Sequence, residues 1–304
     1  MARRSRPALA LALALAALFV SARAQCINTV AGGGGGAGPP AFSTAMAITR
    51  DGTGAIVWAT ENGAVYRLTA DGVALMRVAG NPSVVSSSGD GGVALAATFG
   101  SIYDITRMPD GSLLVSDLGS SRVRRLAMDG NVYNFAGNGI FAFAGDGGPA
   151  TAASFNNPLG LTAAADGTVY IVDSNNFRVR AVSPSGNVTT VAGTGVAGNG
   201  GDGGPAKSAT LYSPRYLALS SDGLLAIGQS DGKFRVVKLA TGIISWVFDG
   251  FLAAGSGLYG IRGMAFRSDG ALVFIDNLNY IVTRSAHIIN TLQTPSLSRV
   301  KKPK

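Results

Sequence analysis

Sulfur and imidazole are nearly absent from this chain. It has one cysteine, Cys26, and one histidine, His287, in 304 residues. A lone thiol cannot close an internal disulfide, so the fold must stand on packing. A lone imidazole excludes a histidine-rich zinc site. Glutamate is almost missing as well, Glu61 being the single example among 17 acidic residues. Charged residues make up only 14% of the chain, too few to coat the outer faces of many helices. No Gly-x-Ser-x-Gly elbow, His-Glu-x-x-His pair or phosphate-binding loop occurs in its required context, and serine–histidine–aspartate catalysis would have to use His287. After the first twenty residues no apolar run is long enough to span a membrane.

The N-terminus reads as a secretory leader. Met1 to Arg6 is basic, Leu9 to Val20 is a short apolar core of Ala and Leu, and Ser21-Ala-Arg-Ala24 supplies small residues for cleavage before Gln25. Residues 1–24 are therefore expected to leave, and the protein is expected to be secreted or to lie in the lumen of the secretory pathway. Gln25 before Cys26 argues against a lipoprotein site, and Cys26 reads as an inert strand residue.

The net charge of +8 dissolves on inspection. Four arginines fall in the leader, and Arg299, Lys301, Lys302 and Lys304 fall in a polar tail, 293–304, that is expected to be disordered. The remaining 17 basic residues balance the 17 acidic ones. A neutral body lacks the clustered positive charge of a nucleic-acid surface.

Glycine is what the chain has in quantity, 43 residues. Many sit in a repeated phrase. Gly89-Asp-Gly-Gly92, Gly145-Asp-Gly-Gly148 and Gly201-Asp-Gly-Gly204 place Asp90, Asp146 and Asp202 at 56-residue intervals, and the Asp-Gly turns at Asp110, Asp166 and Asp222 keep the same interval. Such a period marks stacked supersecondary units that cannot bury their faces alone. Within one unit the pattern predicts strands over Leu159–Ala163, Thr168–Val172, Phe177–Val182 and Asn187–Val191, with hairpin turns between them. Four antiparallel strands per unit describe a blade, and the chain is read as an all-β propeller over 25–292 with five recognisable blades. A six-bladed or incomplete ring is the alternative. The last blade, from Ile261, lacks the Gly-Asp-Gly-Gly phrase. Either Ile27–Ala31 or His287–Leu292 is expected to complete it, which would remove an open sheet edge.

Val191-Ala-Gly193, Gly201-Asp-Gly-Gly-Pro-Ala206, Asn157-Pro-Leu-Gly160, Asp166-Gly-Thr-Val-Tyr-Ile-Val-Asp173 and Asn175-Asn-Phe-Arg-Val-Arg180 resemble NHL repeats, in particular the long glycine-rich repeats of secreted and cell-surface propellers. The resemblance implies the propeller but no single activity, because relatives include ligand-binding modules, RNA binders and metal-dependent lyases.

Twelve aspartates precede glycine and read as turn formers. Among them Asp90, Asp146 and Asp202 are weak candidates for calcium, since each loop offers one carboxylate. No cofactor is otherwise expected. Asp117 with Arg122, and Asp173 with Arg178, are spaced to meet across a tight hairpin as blade-stapling ion pairs. Asp104 starts an inner strand and is the best acidic candidate to face the channel. Asn156, Asn157, Tyr212, Arg215 and Tyr216 are expected near the channel mouth, on the rim that carries the glycine-rich loops, where recognition usually sits. Asn187-Val-Thr189 is the one glycosylation sequon.

The reading that results is a secreted, non-catalytic module that binds an extracellular protein or glycan through its rim, with no nucleic acid, no membrane span after leader cleavage and an open oligomeric state. The alternative is an extracellular lyase or lactonase with a divalent metal in the channel, and the chemistry leans away from it. Convergence of two or more of Asp104, Asp276, Asn156, Asn157 and Glu61 in the channel would favour that enzyme.

Overall fold

The computed structural model describes residues 45–249 apart from 73 and 85, together with 261–267, 270, 272–276 and 282–286. The leader, Cys26, Ile27–Ala31, Asp269, His287–Leu292 and the tail lie outside the described residues, and so does the segment expected to complete the last blade.

The described residues fold into five antiparallel sheets. The first holds β1 (Ala45–Arg50), β2 (Ile56–Thr60), β3 (Val65–Leu68) and β4 (Leu75–Ala79). The second holds β5 (Ile102–Arg107), β6 (Leu113–Asp117), β7 (Arg122–Leu126) and β8 (Val132–Ala136). The third holds β9 (Pro158–Ala163), β10 (Val169–Asp173), β11 (Arg178–Val182) and β12 (Val188–Ala192). The fourth holds β13 (Pro214–Leu219), β14 (Leu224–Gln229), β15 (Lys233–Lys238) and β16 (Ile243–Asp249). The fifth contributes β17 (Ile261–Phe266), β18 (Leu272–Asp276) and β19 (Val282–Ala286). The strands expected of the third blade each lie within a residue or so of the observed ones.

First strands touch in series: β1 lies against β5, β5 against β9, β9 against β13 and β13 against β17. This is the inner wall of a propeller. Burial follows from it. The second strands β6, β10 and β14 are buried at every position, because neighbouring blades cover both of their faces, and β-branched and aliphatic residues suit such a site. In the fourth strand β12 only the two ends, Val188 and Ala192, are buried. Each blade carries a register irregularity between its first two strands near the channel mouth, such as Pro214/Tyr216. Irregularities of this kind bend a strand and re-aim its side chains.

The Gly-Asp-Gly-Gly loops have a structural task that composition did not announce. Gly147 N–H donates to Val188 O at 2.7 Å and Val188 N–H donates to Gly148 O at 2.9 Å. Gly91 and Gly92 pair Val132 in the same way, and Gly203 and Gly204 pair Ile244. Each loop thus leaves one blade and covers the outer edge of the next before the chain returns to the centre. That satisfies main-chain groups which an open edge strand would leave exposed to other chains.

Candidate functional site

One buried arginine organises the upper part of each middle blade. Arg124 of β7, Arg180 of β11 and Arg235 of β15 are at most 1% exposed. Arg180 gives Nε and Nη2 to Asp146 Oδ1, Nη1 to Ser154 O at 2.7 Å and Nη2 to Ala144 O at 2.9 Å. Its plane also lies over the Phe155 ring, 4.5 Å from the centroid. Arg124 repeats the set with Asp90, Thr98 O, Ser88 O and Phe99, and Arg235 repeats it with Asp202, Thr210 O and Gly200 O. A guanidinium is suited to this place because its fixed fork can satisfy a carboxylate and two carbonyls together.

One expectation is corrected by this arrangement. Asp117 and Asp173 do lie opposite Arg122 and Arg178 in strand register, but their carboxylates face the arginine two positions further on. Asp117 Oδ2 is 3.6 Å from Arg124 Nη1, and Asp173 Oδ2 is 3.7 Å from Arg180 Nη1. Arg122 instead donates to Asn138 O, and Arg178 donates to Thr194 O while stacking on Phe143. The reason is direction: residues two apart in a strand share a face, and the outer member of each pair is drawn to the rim loop. Asp90, Asp146 and Asp202, offered as calcium candidates, belong to the same arrangement. Each already binds an arginine, and Asp146 Oδ2 also accepts Thr190 N–H at 3.0 Å.

Asp173 Oδ1 accepts Asn156 N–H and Asn176 Nδ2, both at 2.8 Å. Burial of the carboxyl dominates those bonds and pushes its pKa up to about 6. Gln229 stands at the same place in the fourth blade, where its Oε1 accepts Tyr212 N–H at 3.0 Å.

The expected rim residues divide by environment. Asn156 and Asn157 sit at the mouth, Asn156 bonded to Asn175 and Asn157 in the left-handed region at φ 61°. Tyr212 and Arg215 are exposed. Tyr216 is not a rim residue. It is 5% exposed, and its ring stacks on Tyr103 of the second blade with a Tyr103 Oη–H to Tyr216 Oη bond of 2.8 Å. Gly160 of β9 lies between those blades. A Cβ there would be 2.7 Å from Arg215 O, so only glycine lets the two inner strands close up. Asp104 is tied to the wall as well: Oδ2 accepts Leu161 N–H and Oδ1 accepts Ile105 N–H, both at 2.9 Å. Glu61 is exposed in the β2–β3 turn, and the Asp276 side chain lies outside the described residues. Among the described residues no three His, Cys, Asp or Glu side chains gather as a metal-binding group.

Sequence reading missed a set of apolar residues on the loops between blades. Val84, Ile140 and Val196 occupy the corresponding place in three successive loops, at 56-residue intervals, and are 41%, 60% and 61% exposed. Phe141 and Tyr212 lie beside them, each next to or part of a bridge to the following strand, Phe141↔Phe155 and Ala197↔Leu211. Backbone bonds hold the loops: Ile140 N–H donates to Asn138 Oδ1 and Val196 N–H to Thr194 Oγ1. The loops share a face with the turns between second and third strands, since Asn176 Nδ2 donates to Ala142 O at 2.9 Å. From Gly80 to Ser88, Gly137 to Ala144 and Gly193 to Gly200 they contain no charged residue. The recurrence of Val, Ile and Val could have been found from spacing alone.

Comparison with known proteins agrees with this geometry. The NHL repeat family matches residues 155–182, the segment that holds Phe155, Asp173 and Arg180. Protein SUPPRESSOR OF QUENCHING 1, chloroplastic, of Arabidopsis thaliana is 31% identical over 163 residues, 53% of this chain and 15% of that protein. NHL repeat-containing protein 2 of Bos taurus is 32% identical over 147 residues, 45% of this chain and 20% of that protein. The chain thus spans a fifth or less of the length of these curated relatives. Among solved structures, a streptogramin B lyase aligns with 78% of this chain and 63% of its own at a TM-score of 0.51 and 15% identity. A presumptive gluconolactonase aligns with 78% of this chain and 73% of its own at 0.52 and 13%. Likeness at that identity shows the fold alone. Repeat, clamp and sheet order converge on one description: the chain folds as a β-propeller, and residues 155–182 within it match the NHL repeat.

Proposed function

We propose that the chain is a secreted, non-catalytic interaction module that binds an extracellular protein through the rim carrying the loops between blades. The observation that carries the reading is the row of Val84, Ile140 and Val196, apolar residues exposed on three successive loops and each donating its N–H to a residue two or three positions earlier. Exposed apolar groups that recur on a rigid scaffold are a docking surface by default. The polar candidates nearest the channel, by contrast, are spent on the wall: Asp104 on two amides and Tyr216 on Tyr103. Loops without charge favour a partner with an apolar, uncharged face, and such binding should persist at high salt.

Retention of extracellular proteins on the immobilised chain tests this, against an Ile140→Ser/Val196→Ser variant. A specific partner lost at least tenfold by the variant, and kept in 0.5–1 M salt (roughly the range where exposed charges are screened), is the expected result. Equal retention by both forms would refute the rim reading. Retention of glycans alone, or lactone hydrolysis or elimination that depends on added divalent metal and survives in the variant, would point to the glycan-binding or enzymatic alternative.

A further inference from the structure

We infer that Asn187 is a carbohydrate attachment site on the face of the propeller opposite the binding rim. The inference rests on the secretory part of the proposed function, and its test separates the two. Asn187 ends the turn between β11 and β12, and Ser183 N–H donates to its carbonyl at 2.9 Å. Asn187 and Thr189 are exposed while Val188 between them is buried. The amide and hydroxyl of the Asn-Val-Thr sequon therefore stand on one side of the strand, facing solvent, as alternation requires. The Asn187 side chain has no hydrogen-bond partner among the described residues. The rim loop begins at Gly193, at the other end of β12, roughly 20 Å away at about 3.3 Å per residue. A glycan at Asn187 would thus leave the loops with Ile140 and Val196 free.

The molecule holds its own control. Asn131 occupies the same place in the second blade, 56 residues earlier. There Tyr133 stands where Thr189 does, so the sequon hydroxyl is missing. Asn131 Nδ2 meets Tyr133 Oη at 3.5 Å, and that hydroxyl donates to Asp129 at 2.8 Å. Two asparagines share one backbone setting and differ in the residue two positions on.

The reaction is transfer of an oligosaccharide from a lipid pyrophosphate donor. The Asn187 Nδ2 forms a bond to C1 of the first sugar, and the C1–O bond to pyrophosphate breaks. The lipid pyrophosphate departs with the bonding electrons, and the amide gives up one proton to a base of the transferase.

The full chain should be secreted from a eukaryotic cell line, behind its own leader and in parallel behind a heterologous one. The expected result is one glycan on the peptide containing residue 187, removed by peptide-N-glycosidase and absent from Asn187→Gln and Thr189→Ala. Tyr133→Thr should gain a second glycan on the peptide containing residue 131. Secreted, folded protein of unmodified mass from the heterologous leader would overturn the inference, whatever the own leader does. Glycosylation behind the heterologous leader alone would uphold the site and refute the secretory reading of residues 1–24. Failure of Tyr133→Thr to gain mass, with wild type also unmodified, would show that this turn is closed to transfer.

Discussion

Arg180 and Asp146 meet at 2.8 Å across 34 positions of sequence, one fully buried in a blade and the other at the edge-covering loop. The contact joins two tasks. It fixes the loop that covers the β12 edge, and it neutralises a guanidinium that also holds Ala144 O and Ser154 O at the rim. Stability and the presentation of Ile140 therefore depend on one side chain.

Arg180→Met should destabilise the fold by about 3–5 kcal/mol, because it leaves the buried Asp173 carboxyl and the buried Ser154 carbonyl without their cation and also releases Asp146 and Ala144 O. Arg180→Lys should recover only part of this, since an ammonium cannot reproduce the bidentate fork. Denaturant unfolding of the three proteins measures it. A loss below about 1 kcal/mol for the methionine variant would show that the clamp does not carry the blade.

The pH profile of stability should bear the mark of Asp173. Its folded pKa is about 6, against an ordinary value of 3.8, because burial penalises the charged form. A carboxyl raised in this way lends stability that is fully present below about pH 4 and is lost as pH rises to about 6. The amount is on the order of 2–3 kcal/mol. Asp51 and Asp110 act with the opposite sign. Hydrogen bonds to Thr53 and Arg67, and to Ser112, hold their pKa values down in spite of burial, so their stability fades as pH falls through the acid range. The difference between wild type and Asp173→Asn isolates the first effect. Relative to wild type, the variant should gain between pH 4 and pH 7. A pH-independent difference would disprove the assignment.

Glycine positions should separate by contact rather than by backbone angle. Gly193 and Gly186 both have positive φ, 95° and 84°. A Cβ at Gly193 would lie 2.2 Å from Phe177 O, whereas one at Gly186 meets nothing within 4 Å. Gly186→Ala should cost about 1 kcal/mol from the strained φ alone, and Gly193→Ala clearly more. Thermal unfolding of the pair decides it, and equal losses would contradict the packing seen at the rim.

The tyrosine pair across the third blade invites a double-mutant cycle. Tyr103→Phe should cost about 1 kcal/mol by removing the hydroxyl that donates to Tyr216. The stacked rings, with centroids 5.9 Å apart, should keep the remainder. Additivity of Tyr103→Phe and Tyr216→Phe would mean that the two hydroxyls do not act on each other in solution.

Sequence by itself determined the repeat, the blade and most strand limits. These depend on local chemistry: Asp-Gly turns at fixed spacing, β-branched runs between them, and a period of 56 that nothing but stacked units explains. It also indicated which connections share a face, because strand direction alone fixes that, but the Gly-Asp-Gly-Gly phrase itself lies along the outer strand edge rather than on the rim. Only the tertiary structure decided which charges meet. Asp117 and Asp173 face Arg124 and Arg180 rather than their register neighbours, since the choice between two arginines on one strand face rests on carbonyls supplied by a distant loop. It likewise showed that Tyr216 turns inward to Tyr103 while Val84, Ile140 and Val196 remain outside. Hydrophobicity ranks a side chain's preference for burial, but whether anything covers it depends on how neighbouring blades close around it.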